Sequence, residues 1–405
     1  MEIDSKENIS PSRLAWLRFK QNRMAVAGLY ILAMATLIAI LGGAIRPDST
    51  KNANSQQVSL AKKGINFSVK TLQVRKNAEV ANEGFLKQFF FGGKENPHRI
   101  IPIHSYSFSG DSISGYIYGG TDQARGEPFA FNLLDVVEPI DIATLNQRGE
   151  EIFANSVSGE RISATRSHLE SEILTNNLST TRYLFGTDKF GRDMLSRLMA
   201  GTIVSLSVGL ISVLISLLLG ISLGAIAGYF GGWIDDFITW IINVVWSIPT
   251  LLLVIAITFA LGKGFVQVFI AVGLTMWVEV ARVVRGQVLS LKNMEYIEAS
   301  RALGYSTFRI ISRHIIPNIM GPVIVISAAN FASAILLEAG LSFLGIGAQI
   351  PMASWGQMIK DHYAYITTDM AYLAILPGLC ISLLVLAFML IGNGLRDSLD
   401  TRFTA

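Results

Sequence analysis

The stretch EASRALGYSTFRIISRHIIP occupies residues 298–317 and interrupts the most apolar half of the chain. Three arginines and one histidine make it too polar to cross a bilayer, which requires roughly 20 predominantly apolar residues. The segments before and after it are apolar and are predicted to span the membrane. The stretch is therefore a connection between two spans.

Local signals divide this connection into two short helices. Asn293 is a good N-cap for a first helix over residues 294–303. Gly304 supplies the left-handed residue that ends this helix, and Ser306 is able to cap a second one that continues towards Pro317. Helices of about ten residues are marginal alone in water, so the pair needs a surface to dock against.

The second helix is predicted to be amphipathic. Phe308, Ile311 and Ile315 fall on one face, whereas Arg309 and Arg313 share another. Such a helix either docks in a groove of a partner protein or lies on the membrane surface, which basic residues favour. Periodicity and charge leave both interpretations open.

Composition places the chain in a membrane. Of its 405 residues 51% are hydrophobic and 16% are charged, whereas a soluble domain carries about 25% charged residues. Residues 24–45 and 198–234 contain no charge, and the first of these is expected to be a retained helix rather than a cleaved signal. The net charge of +3 does not suggest nucleic-acid binding. No phosphate-binding loop motif occurs, so any ATP would have to be bound by another chain.

Hydropathy predicts six membrane spans. Basic residues are concentrated in the N-terminal tail and in the connection between spans four and five, so both termini and the quoted stretch are expected to face the cytoplasm. The predicted spans cover residues 24–45, 203–228, 237–261, 265–281, 319–337 and 373–394.

A polar block, residues 47–182, separates the first two spans. Ser105–Gly120 alternates aromatic and β-branched residues with Ser and Gly, which predicts strands and a turn, whereas Glu150–Asn177 is expected to be more helical. The topology places the block outside the cytoplasm as an inserted domain of mixed or β-rich structure. Its scattered histidines, His98 and His104, are interpreted as surface residues rather than metal ligands.

Small residues recur every four positions in the second span, at Ser212, Ser216, Gly220, Gly224 and Gly228. On a helix they form a strip that lets another helix approach closely. Helix packing is the preferred interpretation, and a pore-lining face is the alternative.

The quoted stretch resembles the EAA loop of ABC-importer permeases. The resemblance rests on Glu298-Ala299-Ser300, on Gly304, and on Pro317 thirteen residues later, with Ser300 in place of the second alanine. In that family the loop forms a coupling helix that docks in a cleft of the ATP-binding subunit. The resemblance therefore implies an ATPase-coupling interface at Glu298, Ala299, Ser300, Arg301, Leu303, Gly304, Tyr305 and Pro317.

Further motifs resemble the C-type permease of the dipeptide/oligopeptide/nickel importers, among them FGTDKFGRDMLSRLMAG (185–201), GGWID (231–235), LEAGLSFLGIG (337–347) and SWGQMI (354–359). The resemblance covers residues 13–46 and 183–402. It implies an all-α polytopic membrane protein with six transmembrane helices of the type I ABC-importer permease fold. The predicted domains are a cytoplasmic tail (1–23), transmembrane helix 1 (24–46), the inserted extracytoplasmic domain (47–182), a permease core (183–394) with its coupling loop (282–318), and a cytoplasmic tail (395–405). The inserted domain is a departure from the family, whose members have a much shorter loop there.

The function implied by the resemblance is ATP-driven import across the bacterial plasma (inner) membrane. Peptides are the preferred cargo, and nickel or another small solute is the alternative. The implied partners are a second permease, two ABC ATPases and an extracytoplasmic substrate-binding protein, within membrane lipid. No catalytic site, cofactor or metal is expected in this chain. The competing class is an ion-coupled secondary transporter or channel, against which the nearly uncharged span centres argue.

Several charged residues admit two roles. Glu338 is interpreted as a capping or interfacial residue rather than a substrate contact. Glu279, at the inner end of span four, is interpreted as an ion-pair or interfacial residue. Asp188, Arg192 and Asp193 form either a helix-surface network or part of a gate.

Overall fold

The computed structural model describes residues 11–78, 96–262, 264–349 and 351–399. Three parts of the predicted domains lie outside the described residues. They are the start of the tail 1–23, the end of the tail 395–405 and a central part of the 47–182 insert. The chain forms two units. The first comprises Met1–Ala39, Gly201–Tyr363 and Ala374–Ala405, and the second comprises Ile40–Ala200 and Ala364–Leu373.

The helices of the described residues are α1 (Pro11–Gln21), α2 (Arg23–Ile45), α3 (Leu133–Val137), α4 (Arg166–Glu172), α5 (Met194–Phe230), α6 (Gly232–Ser247), α7 (Thr250–Leu261), α8 (Phe265–Leu291), α9 (Glu295–Ala302), α10 (Thr307–Ile310), α11 (Ile316–Leu344), α12 (Trp355–His362) and α13 (Tyr372–Leu399). Single π-helical turns occupy Ile173–Asn177 and Ile311–Ile315. Short 3₁₀ turns occupy Lys51–Ala53, Val58–Leu60, Ile142–Thr144 and Tyr363–Tyr365.

Within the described residues, five helices are long and apolar enough to cross a membrane: α2, α5, α8, the continuous helix Thr307–Leu344, and α13. The third predicted span, 237–261, is instead a pair of helices, α6 and α7, bent by 97°. Ile248 at the break is extended because the residue before a proline disfavours the helical conformation, and Pro249 then caps α7. The pair makes a sixth span only if it is counted as one.

The other helices are longer than the predicted spans, and two of these extensions change the interpretation of the sequence. Helix α8 continues to Leu291, ten residues beyond the predicted end of span four. The helix that begins at Thr307 runs without a break into α11, so it does not end before Pro317. Proline lacks the N–H that would bond the carbonyl four residues earlier, and a π turn immediately before it widens the helix at that point.

The strip of small residues on α5 packs against α8. The Ser212 hydroxyl donates to the Phe269 carbonyl at 3.0 Å. A Cβ added at Gly220 would lie 2.9 Å from the Trp277 carbonyl oxygen, and one at Gly224 would lie 2.5 Å from that of Ala281. The strip therefore lets the two backbones approach closely, in agreement with the packing interpretation.

The second unit contains two antiparallel sheets. The larger has the strand order β4-β3-β2-β1-β8, and the smaller has the order β5-β6-β7. The strands are β1 (Phe67–Arg75), β2 (His98–Ser109), β3 (Ser112–Tyr118), β4 (Arg125–Asn132), β5 (Asn146–Arg148), β6 (Glu151–Asn155), β7 (Arg161–Thr165) and β8 (Leu178–Tyr183).

The hairpin predicted within Ser105–Gly120 is confirmed by the pairing of β2 with β3. The helix expected for Glu150–Asn177 is wrong in its first half, which forms β6 and β7. Ile152 and Ala154 are buried while residues between and beyond them are more exposed, and this period of two is typical of a strand. Only the later part, α4 and the π turn after it, is helical.

A hydrophobic core of its own stabilises this β-containing region. Leu72 from β1, Ile103 from β2 and Ile113 from β3 meet Leu134 and Leu169 from the two short helices α3 and α4. All of these side chains are at most 2% exposed. Burial of several large aliphatic side chains in one cluster is what an independently folding region requires.

Candidate coupling surface and membrane cavity

The two short helices of the quoted stretch meet at a glycine elbow, as predicted. Gly304 has φ +75°, and the Tyr305 N–H donates to the Ser300 carbonyl at 3.1 Å, which closes the end of α9. The N-cap of α9 is Met294, one residue later than the predicted Asn293. The first turn of α9 contains two carboxylates, Glu295 and Glu298. Their negative charges stabilise the helix by interacting with the positive end of its dipole.

One face of the elbow is anchored in the helical unit. Ile297, Ile310 and Ile315 are at most 1% exposed and pack with side chains of α8 and α11, including Val284. The predicted apolar face is wrong at Phe308, which is 80% exposed. Ile310 takes its place, because the π turn changes the angular position of the residues around it.

The opposite face of the elbow is exposed, and we call it the coupling surface. It combines charged side chains with large apolar ones, of which Leu303 is 72% exposed. Of the eight predicted coupling residues, Ser300 is buried and its hydroxyl donates to the Tyr296 carbonyl at 2.8 Å. The other seven are exposed, namely Glu298, Ala299, Arg301, Leu303, Gly304, Tyr305 and Pro317.

Cation–ring contacts hold the arginines around this surface. The Arg301 guanidinium lies 5.2 Å from the centre of the Tyr229 ring, and that of Arg309 lies 5.2 Å from the centre of the Tyr305 ring. The Tyr305 ring stacks with His314 at 5.9 Å between centres. These contacts orient long side chains that would otherwise lose more conformational freedom on docking.

A cavity of 440 Å³ lies at the break between α6 and α7 and is also lined by α8 and α11. Its wall is mainly apolar, with Trp246 and Ile248 from the break and Leu337 from α11. The hydroxyls of Thr250, Thr275 and Ser333 and the carboxylate of Glu279 are the polar part. Sequence reasoning missed this cavity, although Pro249 marks the bend that forms it.

Glu338 holds the segment after α11 in place. It is 1% exposed, and its Oε1 accepts hydrogen bonds from the hydroxyls of Ser342 at 2.6 Å and Ser354 at 2.8 Å. Ser354 is the N-cap of α12, whose Gln357 N–H donates to the Ser354 hydroxyl oxygen. Glu338 thus connects the end of one helix to the start of the next, consistent with the capping role preferred from the sequence.

Asp188 and Arg192 belong to a buried polar loop rather than to a helix surface. Asp188 Oδ2 accepts from Arg192 Nε at 2.6 Å, and both side chains are 1% exposed. Asp193 is also buried, and its Oδ2 accepts from the Ser196 N–H at 2.9 Å. Burial raises the pKa of the Asp193 carboxyl above its ordinary value. The alternative of a surface network is therefore wrong for these residues.

These features define a multi-pass membrane protein with a β-containing region. Residues 220–405 match the family described as binding-protein-dependent transport system inner membrane component. Residues 10–62 match the N-terminal transmembrane domain of oligopeptide transport permease C.

Relatives extend these matches over most of the permease. The dipeptide transport system permease protein DppC of Bacillus subtilis (strain 168) is 40% identical over 62% of this chain and 78% of its own length. The oligopeptide transport system permease protein OppC of Salmonella typhimurium (strain LT2) is 43% identical over 54% of this chain and 72% of its own length. A solved structure of the MetNI methionine ABC transporter, in an inward-facing conformation, is 20% identical with a TM-score of 0.43, over 51% of this chain and 98% of that one.

The chain therefore belongs to the ABC-importer permeases, and within them to the C-type permeases of the dipeptide/oligopeptide/nickel family.

Proposed function

We propose that this permease subunit carries peptides into a bacterial cell as part of an ATP-driven importer. Support comes from the relatives, which are named for dipeptide and oligopeptide transport. A further relative, 39% identical, is named for the transport of glutathione, which is itself a peptide. The cavity at the α6–α7 break has a mainly apolar wall with a few polar groups, which suits a small amphipathic solute.

The coupling surface carries the mechanism of this proposal. The opposite face of the elbow, with Ile297 and Ile310, is packed against α8 and α11, so a force applied to the elbow is transmitted to the membrane helices. The side chains of Leu303 and Phe308 on the coupling surface are 72% and 80% exposed. Such apolar exposure to water is costly unless a partner covers it. We assign that partner as the cleft of an ABC ATPase subunit, docked on the seven exposed residues named above, with Ser300 buried beneath them.

Docking on this surface makes transport sensitive to the nucleotide state. A partner shifts a conformational equilibrium only by the difference in its binding free energy between the two states. The open and closed arrangements of the ATPases therefore have to bind the coupling surface with different free energies. A second permease completes the wall of the path, an extracytoplasmic binding protein delivers the cargo, and the ATPases bind the ATP.

The topology follows from the same assignment. If the coupling surface faces cytoplasmic ATPases, both termini are cytoplasmic and the β-containing region after α2 is an inserted extracytoplasmic domain. That region has its own core around Leu72 and Ile103, which supports a separately folded domain. Its position on the outer side would place it beside the docking site of the binding protein.

The test of coupling uses the whole transporter reconstituted in proteoliposomes. Glu298→Lys reverses a charge on the coupling surface, and Leu303→Asp places a charge on its most exposed aliphatic side chain. Both variants should insert normally and lose uptake together with the stimulation of ATP hydrolysis by the loaded binding protein. Leu17→Asp, at a 43% exposed position on α1, is the matched control and should retain both activities.

Full uptake and full ATPase stimulation in both coupling-surface variants would overturn the coupling assignment. Uptake that persists without ATP would instead favour the competing class, an ion-coupled transporter or channel. Supplying the unchanged complex with a labelled dipeptide and, separately, with nickel distinguishes the preferred cargo from the alternative.

A further inference from the structure

Glu279 lies in the middle of helix α8 and within the predicted span four, 265–281. Helix α8 continues to Leu291, so Glu279 is the fifteenth of its 27 residues. A carboxylate within a membrane span is costly to expose to lipid and is therefore retained where it faces a polar cavity or a partner.

The side chain of Glu279 is exposed, although its neighbours Val278 and Val280 on the same helix are buried. It lines the 440 Å³ cavity at the α6–α7 break. Among the residues that the structure describes, none forms an ion pair or a hydrogen bond with it. The nearest cation along the chain, Arg282, is engaged with Trp246, over whose ring its guanidinium lies at 3.1 Å from the centre.

The other polar groups of this cavity are hydroxyls. The Thr275 hydroxyl donates to the Val272 carbonyl at 2.8 Å, so towards the cavity it offers only an acceptor. Ser333 and Thr250 add further hydroxyls, and the described lining includes no Lys, Arg or His. The cavity therefore combines an apolar wall with one negative charge and several hydrogen-bond acceptors.

We propose that Glu279 binds the protonated α-amino group of a peptide that passes through this cavity. The side chains of the peptide then contact the apolar wall. The charge-assisted N–H···O bond supplies the polar contact, and Trp246 and Leu337 supply apolar surface. A divalent transition metal ion prefers nitrogen or sulfur ligands. Among the described side chains of this lining, the thioether of Met276 is the one such ligand, so the lining suits an ammonium group better than a metal ion. This inference rests on the proposed peptide cargo.

The test compares a free-amine dipeptide with its N-acetylated form in proteoliposomes containing the complete transporter. Both peptides are supplied at concentrations that saturate the binding protein, so that its own selectivity affects the unchanged protein and the variant equally. Glu279→Gln keeps the shape of the side chain and removes its charge. We expect uptake of the free-amine dipeptide to fall by roughly tenfold or more, the usual effect of losing a charged hydrogen bond.

Uptake of the N-acetyl dipeptide by Glu279→Gln should stay within about twofold of the unchanged protein, since this peptide has no ammonium group to lose. If the N-acetyl dipeptide is not transported, the second readout is ATP hydrolysis, which Glu279→Gln should leave stimulated by the loaded binding protein. Glu279→Asp, which keeps the charge, should restore part of the uptake. Asp236→Asn removes an exposed carboxylate of α6 that does not line the cavity, and it should change neither peptide's uptake.

An equal fall for both peptides, a loss of ATPase stimulation along with uptake, or no fall for the free-amine dipeptide would each overturn the assignment. These outcomes differ from a failure of the proposed function itself. In that case the unchanged transporter would take up neither dipeptide, whatever residue stands at position 279.

Discussion

Arg285 and Asp235 form a bidentate ion pair, with 2.5 Å between Arg285 Nε and Asp235 Oδ1 and 2.7 Å between Arg285 Nη2 and Asp235 Oδ2. The two side chains are 31% and 13% exposed. The pair joins the first turn of α6 to α8, so it orients one arm of the bent helix pair against the helix that carries Glu279. Two parallel N–H···O bonds fix direction as well as distance.

Removing either partner of this pair should lower the thermal unfolding temperature of the purified permease complex. We expect Arg285→Met and Asp235→Asn to be coupled by about 1 kcal/mol in a double-mutant cycle, because each single change leaves the other group without its partner. Asp236→Asn, at the exposed neighbouring position, is the comparison and should have a smaller effect, because its carboxylate acts on Arg285 only through longer-range attraction. Strict additivity of the two single changes in the double variant would mean that the side chains do not interact.

A methyl group on the packed strip of α5 should force the helices apart. In Gly224→Ala the new Cβ would lie 2.5 Å from the Ala281 carbonyl oxygen and 2.9 Å from the Val284 Cβ. Such overpacking costs about 1–3 kcal/mol, which a thermal unfolding measurement in detergent would detect.

Gly286→Ala is the matched control for this change. It adds the same methyl group to α8, where a Cβ would meet no heavy atom within 4 Å. Alanine is the better helix former, so we expect equal or slightly higher stability. Equal destabilisation by Gly224→Ala and Gly286→Ala would show that helix contact is not what the strip provides.

Asp188→Asn should destabilise the buried loop before α5 more than a surface change would. The variant leaves the guanidinium of Arg192, which is 1% exposed, without its counter-charge. Breaking a buried pair in this way costs about 3–5 kcal/mol, so the variant should accumulate poorly in membranes and be cleaved faster by limited proteolysis. Glu127→Gln, at an exposed position on β4, should behave like the unchanged protein. Normal protease resistance of Asp188→Asn would contradict a stabilising role.

Glu338 should tolerate glutamine better than alanine. Glutamine keeps an oxygen able to accept from the Ser342 and Ser354 hydroxyls, whereas alanine leaves two buried donors without that acceptor. Each unsatisfied buried group costs about 1–3 kcal/mol. Thermal unfolding of the two variants tests this order. If glutamine were as damaging as alanine, the negative charge rather than the hydrogen-bond acceptor would be what the site needs.

Much of the candidate site is predictable because its signals are local. The elbow at Gly304 follows from one residue that adopts a positive φ without strain, and its polar surroundings follow from the arginines beside it. Phe308 was misplaced because periodicity assumes a regular helix, and the π turn that follows depends on how Pro317 is accommodated. The strand that contains Ile152 and Ala154 was missed because it is short and because the burial of these side chains depends on core residues distant in sequence, such as Leu72.

The sequence by itself determined that this chain crosses a membrane, where most of its apolar segments lie, and which short connection carries the family motif. Those properties depend on composition and on neighbours a few residues away. Only the tertiary structure decided that span three is bent by 97° and that Glu279 faces a cavity while the residues beside it are buried. Burial is decided by contacts between helices that are distant along the chain, and hydropathy along one helix does not specify which face meets another helix.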